Sequence, residues 1–313
     1  MWRPFDDLDG FNRALIQLEQ DLLSVFRGSV PPVELAASDT LKRFLAFIDE
    51  NPYQAFLLAR IKSGHAMTPR HGINVLMMAR AWAVTSHKLG NKLHNFSLAA
   101  LFHDIGHWRP DHLVYVFGPF THDEARKMRT HPEVDDPGLK ALDPEVAEWI
   151  AQHHEQPDGK GYPRGITTPH PLAQILRIVD CFDGMTTPRR YRITGSYSNA
   201  MKIMNRWAGY KYNAGLFKSF REFLGDHPPG SFMRIKSGGA GITLPGPYPQ
   251  ITCLVFTNPD GDALEKPFIQ KYSPDEVEEA PQWLELRIPD EWKTLRPDLM
   301  GLPRFYGTEN LET

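Results

Sequence analysis

Residues 101–108 read LFHDIGHW and place an adjacent histidine and aspartate inside an apolar segment. Burying an imidazole and a carboxylate is costly unless another group or a cation stabilises them. The chain therefore has to fold so that His103 and Asp104 meet compensating groups from elsewhere in the sequence. This requirement constrains the fold more than any other feature of the chain.

The 313-residue chain is 41% hydrophobic, enough for a sizeable core, and its formal net charge is −3. Such a charge provides no general basic field, so we expect no binding to DNA, RNA or an anionic membrane. Two cysteines are too few for a disulfide framework or a thiolate metal site. With no secretory signal and no apolar segment of membrane-spanning length, we expect a cytoplasmic location and no membrane attachment.

Apolar residues recur at helical spacing over the first two thirds of the chain and predict a succession of helices that ends near Leu224. Two of these helices have clear start signals. Thr68 and Asp143 are capping residue types, and Pro69 and Pro144 follow them at the first helical position.

After residue 230 the pattern changes to short alternating strands separated by glycine-rich turns. We therefore predict a mainly α protein with a short N-terminal helical segment over residues 1–62 and a helical domain over 63–226. Residues 227–313 are predicted to form a small β appendage, with an irregular tail beyond Ser273.

Seven polar residues of the helical region are candidate metal ligands, because each lies near a predicted helix end or among apolar neighbours. Imidazole and carboxylate suit Fe, Mn, Zn or Ni, whereas Mg or Ca would need more oxygen, and one carboxylate can bridge two cations. A single histidine of this kind is more often an ordinary core or surface residue. The set is His71, His103, Asp104, His131, His153, His154 and Asp180.

Over residues 64–225 the chain resembles the HD-GYP phosphodiesterases, a branch of the HD phosphohydrolases that hydrolyses cyclic di-GMP. The resemblance depends on several motifs in a fixed order. They are His103-Asp104-Ile105-Gly106, Asp123-Glu124, His131-Pro132, His153-His154-Glu155, Gly161-Tyr162-Pro163, Arg177-Ile178-Val179-Asp180, Asp183-Gly184-Met185-Thr186, and Arg189 with Tyr191-Arg192.

The resemblance implies an HD-type helical bundle that holds two divalent metal ions. Iron or manganese is expected, with zinc and nickel as alternatives. The implied ligands of the first ion are His71, His103, Asp104 and Asp180. Those of the second ion are His131, His153 and His154. Asp104 would bridge the two ions.

The implied activity is hydrolysis of cyclic di-GMP to linear pGpG, or further to GMP. Two cations lower the pKa of bound water to about 7, and a hydroxide between them would attack phosphorus, so Asp104 is a catalytic residue. Arg189 and Arg192 would bind phosphate, with a surface salt bridge as the alternative. Tyr162 would stack on guanine or close over the site, with a simple turn as the alternative.

Two positions depart from the family pattern. His107 stands where the family usually has lysine, and a histidine beside two cations tends to be neutral. His107 would donate to phosphate, act as the acid for the leaving oxygen, reach a metal, or mark a slowed enzyme. Met67 stands one helical turn before His71, where some members carry a glutamate that helps to hold a third metal. A thioether is a poor ligand for hard cations, so two ions are predicted.

Three functional classes remain open. The first is a cyclic di-GMP phosphodiesterase, and the second is a weakly active or inactive sensor or interaction module, which His107 favours. The third is an HD phosphohydrolase that acts on another cyclic dinucleotide or on a nucleotide monophosphate. The family also contacts signalling proteins through the Gly-Tyr-Pro loop, so a protein partner is expected there, and the N-terminal segment is a candidate for homodimer formation.

Overall fold

In a computed structural model, the structure describes residues 8–60, 69–87, 89–108, 121–133, 137–186, 197–244 and 250–279. Within these ranges the chain forms twelve α-helices followed by one five-stranded antiparallel sheet. The predicted fold class, mainly α with a small C-terminal β region, is confirmed. None of the helices in these ranges combines the length and the apolar character needed to cross a bilayer.

The helices occupy the first 224 residues, as the sequence predicts. The N-terminal four are α1 (Leu8–Phe26), α2 (Pro32–Ala37), α3 (Asp39–Glu50) and α4 (Pro52–Arg60). The others are α5 (Pro69–Trp82), α6 (Lys92–Phe102), α7 (His122–Met128), α8 (Pro137–Lys140), α9 (Pro144–Gln152), α10 (Pro171–Thr186), α11 (Tyr197–Trp207) and α12 (Ala214–Leu224).

The predicted helix start at Pro144 is confirmed, and α5 is helical from Pro69, the first residue described after residues 61–68. At α9 the side chain of Asp143 accepts a hydrogen bond from the Glu145 amide at 2.8 Å, which satisfies one of the amides left without a partner at a helix start. Thr68, the other predicted capping residue, lies outside the described residues.

Helix α5 forms the centre of the bundle. Every residue from His71 to Trp82 is buried, and the helix packs against α1, α3, α4, α6 and α10. One hydrophobic cluster includes residues of both the N-terminal helices and the later ones, among them Phe56 and Phe182. A helix that is buried all round can only exist inside a bundle. His71 therefore lies in the protein interior, in the first turn of the central helix.

A buried arginine holds α5 against its neighbours. Arg80 donates two hydrogen bonds to the Asp49 carboxylate of α3, both 2.6 Å long, and a third of 2.7 Å to Ser97 of α6. The Arg80 side chain is 8% exposed and that of Asp49 is 40% exposed. Since α5 carries His71 and α6 leads to His103, this network fixes the relative positions of two candidate ligands.

The sheet has the strand order β4-β3-β2-β1-β5. Its strands are β1 (Phe232–Ile235), β2 (Ala240–Thr243), β3 (Ile251–Thr257), β4 (Ala263–Tyr272) and β5 (Val277–Glu279). The prediction of an irregular chain beyond Ser273 is wrong for β5, which pairs with β1 through Ile235 and Val277. Only Val277 of its three residues is buried, so the segment is too short to show alternation in the sequence. Residues 280–313 lie outside the described residues.

Arg60, the last residue of α4, joins the bundle to the sheet. Its guanidinium donates to the Pro229 carbonyl and to the Ser231 hydroxyl, both at 3.2 Å, and lies 5.5 Å from the ring centre of Phe182. Burial lowers the pKa of Arg60 to about 10, against the opposing effect of Tyr197 and nearby carboxylates. The side chain therefore remains charged at neutral pH and links the two parts of the fold.

We predict that Asp49→Asn lowers the free energy of unfolding by about 1–3 kcal/mol, because the buried Arg80 loses a charged acceptor. The matched control is Asp39→Asn, whose side chain is 84% exposed in its pair with Lys42. This control should change the free energy by less than about 1 kcal/mol. Urea denaturation measures both, and equal effects would contradict the account.

Candidate metal centre

Three histidines lie at or just after helix ends and make the same local hydrogen bond. The Nδ1 atoms of His103, His131 and His153 lie 2.9, 2.7 and 2.6 Å from the carbonyl oxygen three residues earlier. The carbonyls of Met128 and Ile150 also accept from the His131 and His153 amides, at 3.4 and 3.3 Å, and a carbonyl can only accept. Each Nδ1 therefore carries the hydrogen, and each Nε2 of the neutral ring has a free lone pair that can bind a metal.

The Nε2 atoms converge on one buried region. Those of His131 and His153 are 3.3 Å apart, so two lone pairs face each other. Within the part of the chain that the structure describes, Nε2 of His103 is buried and has no hydrogen-bond partner. A buried polar atom without a hydrogen-bond partner lowers the stability of the fold by about 1–3 kcal/mol. A cation would stabilise all three rings, so the residues fit the metal ions that the sequence predicts.

His71 enters the same region from the start of α5. Its Nδ1 donates to Oδ2 of Asp183 at 2.8 Å, and its Nε2 lies 3.2 Å from Oδ1 of Asp180. Burial opposes a charge on this ring, but hydrogen bonds to Asp180 and Asp183 raise the pKa of His71 to about 10, so a metal ion would bind Nε2 in exchange for a proton. A carboxylate behind a ligand histidine fixes the orientation of the ring and raises its basicity. Asp183 occupies this position.

The Asp104 carboxylate lies between two groups of imidazoles. Its Oδ2 is 3.5 Å from Nε2 of both His71 and His103, and its Oδ1 is 3.5 Å from Nε2 of His107 and 3.4 Å from that of His131. Burial opposes ionisation, but the facing imidazoles hold the pKa of Asp104 well below its ordinary value. An ionised carboxylate with one oxygen towards each group has the arrangement that bridging requires.

Three of the candidate ligands, His131, His153 and His154, are held neutral. Burial, followed by the proximity of His131 and His103, lowers the pKa of His153 to about 3. Burial also lowers the pKa of His131, and that of His154 well below the ordinary value. Metal ligands must be unprotonated, so these rings are ready to bind a cation at neutral pH.

His154 differs from its neighbours in its hydrogen bonding. Its Nδ1 lies 3.4 Å from a guanidinium nitrogen of Arg177, which can only donate. The ring stacks on Tyr162, with centroids 4.6 Å apart and an interplanar angle of 24°. The guanidinium carbon of Arg129 lies 5.8 Å from the Tyr162 ring centre. The Gly-Tyr-Pro loop therefore covers one side of the centre.

Glu155 anchors the Gly-Tyr-Pro loop. Its buried carboxylate accepts hydrogen bonds from the amides of Arg164 at 2.7 Å and Ile166 at 3.1 Å. Gly161 passes so close that a Cβ atom would lie 2.5 Å from Cα of Glu155. Only glycine fits at this position. The sequence motif contained Glu155, but its structural role was not predicted.

Gly106 has a comparable role beside Asp104. A Cβ atom at this glycine would lie 2.0 Å from the carbonyl oxygen of His131. The absence of a side chain lets the turn after α6 approach the His131 segment and brings Asp104 within reach of that ring. The Asp183 contact with His71 was likewise missed, although Asp183 lies three residues after Asp180 on the same helix and therefore on the same face.

The structure brings all the predicted ligands into one centre. Two sets of donor atoms, each within 4.8 Å of one another, are His71 with His103 and Asp104, and His131 with His153 and His154. Asp180 lies beside His71. Arg189, Arg192 and Met67 lie outside the described residues. The individual roles of the predicted ligands, and those of Arg189, Arg192 and Met67, remain predictions.

A family model described as HD domain matches residues 57–216, just over half of the chain. The chain belongs to the HD domain family. HD domains are metal-dependent, and the two donor sets could hold the ions. A solved structure of an HDG"Y"P protein from Bdellovibrio bacteriovorus shares the fold, with a TM-score of 0.53 and 20% identity over 67% of this chain and 70% of that one.

Curated relatives are named as phosphodiesterases of cyclic dinucleotides. The chain is 29% identical to a cyclic di-GMP phosphodiesterase of Pseudomonas aeruginosa over 66% of this chain and 51% of that protein. It is 35% identical to a cyclic di-GMP phosphodiesterase response regulator of Xanthomonas campestris over 30% of this chain and 27% of that protein. It is 33% identical to a 3'3'-cGAMP-specific phosphodiesterase of Vibrio cholerae over 34% of this chain and 26% of that protein. The matches thus span about half the length of these relatives, or less.

We predict that Asp183→Asn weakens binding of one metal ion by about 10–100-fold, because His71 loses the carboxylate that orients it. Competition with a chromophoric chelator measures the affinity. The control is Asp123→Asn, since the Asp123 side chain is 86% exposed. Unchanged affinity in the Asp183 variant would show that this carboxylate does not support a ligand.

Proposed function

We propose that the chain is a metal-dependent phosphodiesterase that hydrolyses cyclic di-GMP to linear pGpG. The observation that carries the proposal is the position of the Asp104 carboxylate, with each oxygen facing a separate group of imidazoles. The names of two relatives as cyclic di-GMP phosphodiesterases supply the substrate class.

Two bound divalent ions would supply a shared hydroxide at neutral pH and positive charge that stabilises the phosphate as the bond breaks. We propose iron or manganese, with zinc and nickel as alternatives, because the donor set is imidazole and carboxylate rather than thiolate. Asp104 would hold the two metal ions at a fixed separation. Asp180 and His71, which is oriented by Asp183, would fix the ligand geometry around the first ion.

The surrounding residues would position the dinucleotide. One face of the Tyr162 ring stacks on His154, so guanine would stack on the other face, and the exposed Arg129 nearby can meet a phosphate. Arg189 and Arg192, outside the described residues, are proposed as further phosphate contacts.

Two alternatives have specific support. A relative named as specific for 3'3'-cGAMP favours another cyclic dinucleotide as the substrate. His107, where the family usually has lysine, favours a weakly active sensor. Incubation of the metal-loaded protein with cyclic di-GMP, 3'3'-cGAMP, pGpG and GMP, with chromatographic product analysis, separates these. Binding of cyclic di-GMP without turnover would leave the sensor as the function, and accumulation of GMP would extend the reaction beyond pGpG.

We also propose a protein partner at the Gly-Tyr-Pro loop, because Lys160 and Arg164 are exposed there and can meet an acidic surface.

Both cysteines are unpaired, which agrees with a reducing cytoplasm. A homodimer through the N-terminal segment remains part of the proposal, and light scattering of the purified chain would test it.

We predict that Asp104→Ala lowers kcat for cyclic di-GMP by at least about 10³-fold while the helical circular dichroism is retained, because the ions lose their common ligand. Asp123→Ala, at an exposed position of α7, is the control and should keep full activity. Near-normal turnover in the Asp104 variant would remove the mechanism.

A further inference from the structure

We infer that His107 is a protein ligand of the second metal ion, in addition to His131, His153 and His154. This inference rests on the proposed two-metal centre and assigns one role to a residue for which the sequence allowed several. The consequence is an asymmetric site. The ion on the His131 side of Asp104 would be held by four imidazoles and the Asp104 carboxylate, and the other by two imidazoles and two carboxylates.

The contacts of His107 match those of His131, one of the predicted ligands. Its Nε2 lies 3.5 Å from Oδ1 of Asp104, and Nε2 of His131 lies 3.4 Å from the same oxygen. The two rings stack with centroids 3.8 Å apart and an interplanar angle of 26°. Donor atoms of His107, His131 and Asp104 all lie within 4.8 Å of one another. A cation beside Asp104 Oδ1 would therefore meet both rings.

The local backbone produces this geometry. Residues Ile105–Trp108 form a 3₁₀-helix, and the His107 amide donates to the Asp104 carbonyl at 3.0 Å. In a 3₁₀ turn, side chains three residues apart lie on the same side. His107 is consequently directed at the Asp104 carboxylate.

The other roles considered for His107 fit these contacts less well. The residue is only 5% exposed and lies flat against His131. Its Nε2 faces Asp104, so this nitrogen is directed towards the carboxylate that would hold the ions. Lysine, the usual family residue, is charged and has no lone pair for a metal while it remains so. The replacement by histidine thus adds a ligand that the usual sequence lacks.

An extra imidazole changes which metals the second position prefers. Nitrogen-rich sites suit Fe, Co, Ni and Zn, whereas oxygen-rich sites suit Mn and Mg. It also leaves fewer coordination positions for water or substrate on that ion. We therefore expect His107 to increase the affinity for the second ion.

The test measures metal content, so its outcome does not depend on whether the protein hydrolyses cyclic di-GMP. Metal-free protein is dialysed against buffered Zn²⁺ and analysed by mass spectrometry for zinc per chain. In His107→Gln we expect the affinity for one of the two ions to fall at least about 10-fold, with the other unchanged. His94→Gln, an exposed histidine of α6, is the matched control and should bind as the unsubstituted chain does. Two ions bound by His107→Gln with unchanged affinities would overturn the inference.

A second measurement needs no substitution. If His107 is a ligand, its Nε2 should lie about 2.1 Å from an ion in a crystal of the zinc-loaded unsubstituted chain. A separation beyond about 3 Å, with both ions present, would overturn the assignment even if the variant failed to fold. A crystal with no ions would instead contradict the two-metal centre itself.

Discussion

The hydrogen bond from a histidine Nδ1 to a helix-end carbonyl is the interaction on which the centre depends. It occurs three times, at His103, His131 and His153, always with the carbonyl three residues earlier. Because a carbonyl can only accept, each bond keeps the hydrogen on Nδ1 and leaves Nε2 as the nitrogen that can bind a metal. The ends of α6, α7 and α9 therefore present ligand atoms without any long-range contact to orient them.

The bundle then determines where these ligand atoms meet. Helix α5 brings His71 into the interior, and α10 supplies Asp180 beside it and Asp183 behind it. Gly106 and Gly161 allow two loop segments to approach more closely than any side chain would permit. Asp104 lies where these segments converge. A run of apolar residues can contain His103 and Asp104 because the centre compensates both, which accounts for the LFHDIGHW segment.

Local signals in the sequence predicted the helix starts at Pro69 and Pro144 and the change to strands after residue 230. The ligand set followed from the ordered motifs that resemble the HD-GYP family. The convergence of the distant ligands was predicted only through the family resemblance, and the contact behind them was not predicted. His71 and Asp183 are 112 residues apart in the sequence, and the one local signal is that Asp183 follows Asp180 by three residues on the same helix face. Strand β5 was missed because three residues with one buried side chain give no readable period.

The most direct test of this account is the histidine tautomer in the metal-free chain. Long-range ¹H–¹⁵N NMR of ¹⁵N-histidine protein at neutral pH distinguishes protonated from unprotonated ring nitrogens, with His→Gln variants providing assignments. The account predicts that His103, His131 and His153 carry their hydrogen on Nδ1 and that each Nε2 is unprotonated. Hydrogen on Nε2 in these rings would contradict it, because the helix-end carbonyls would then not be directing the ligand atoms into the centre.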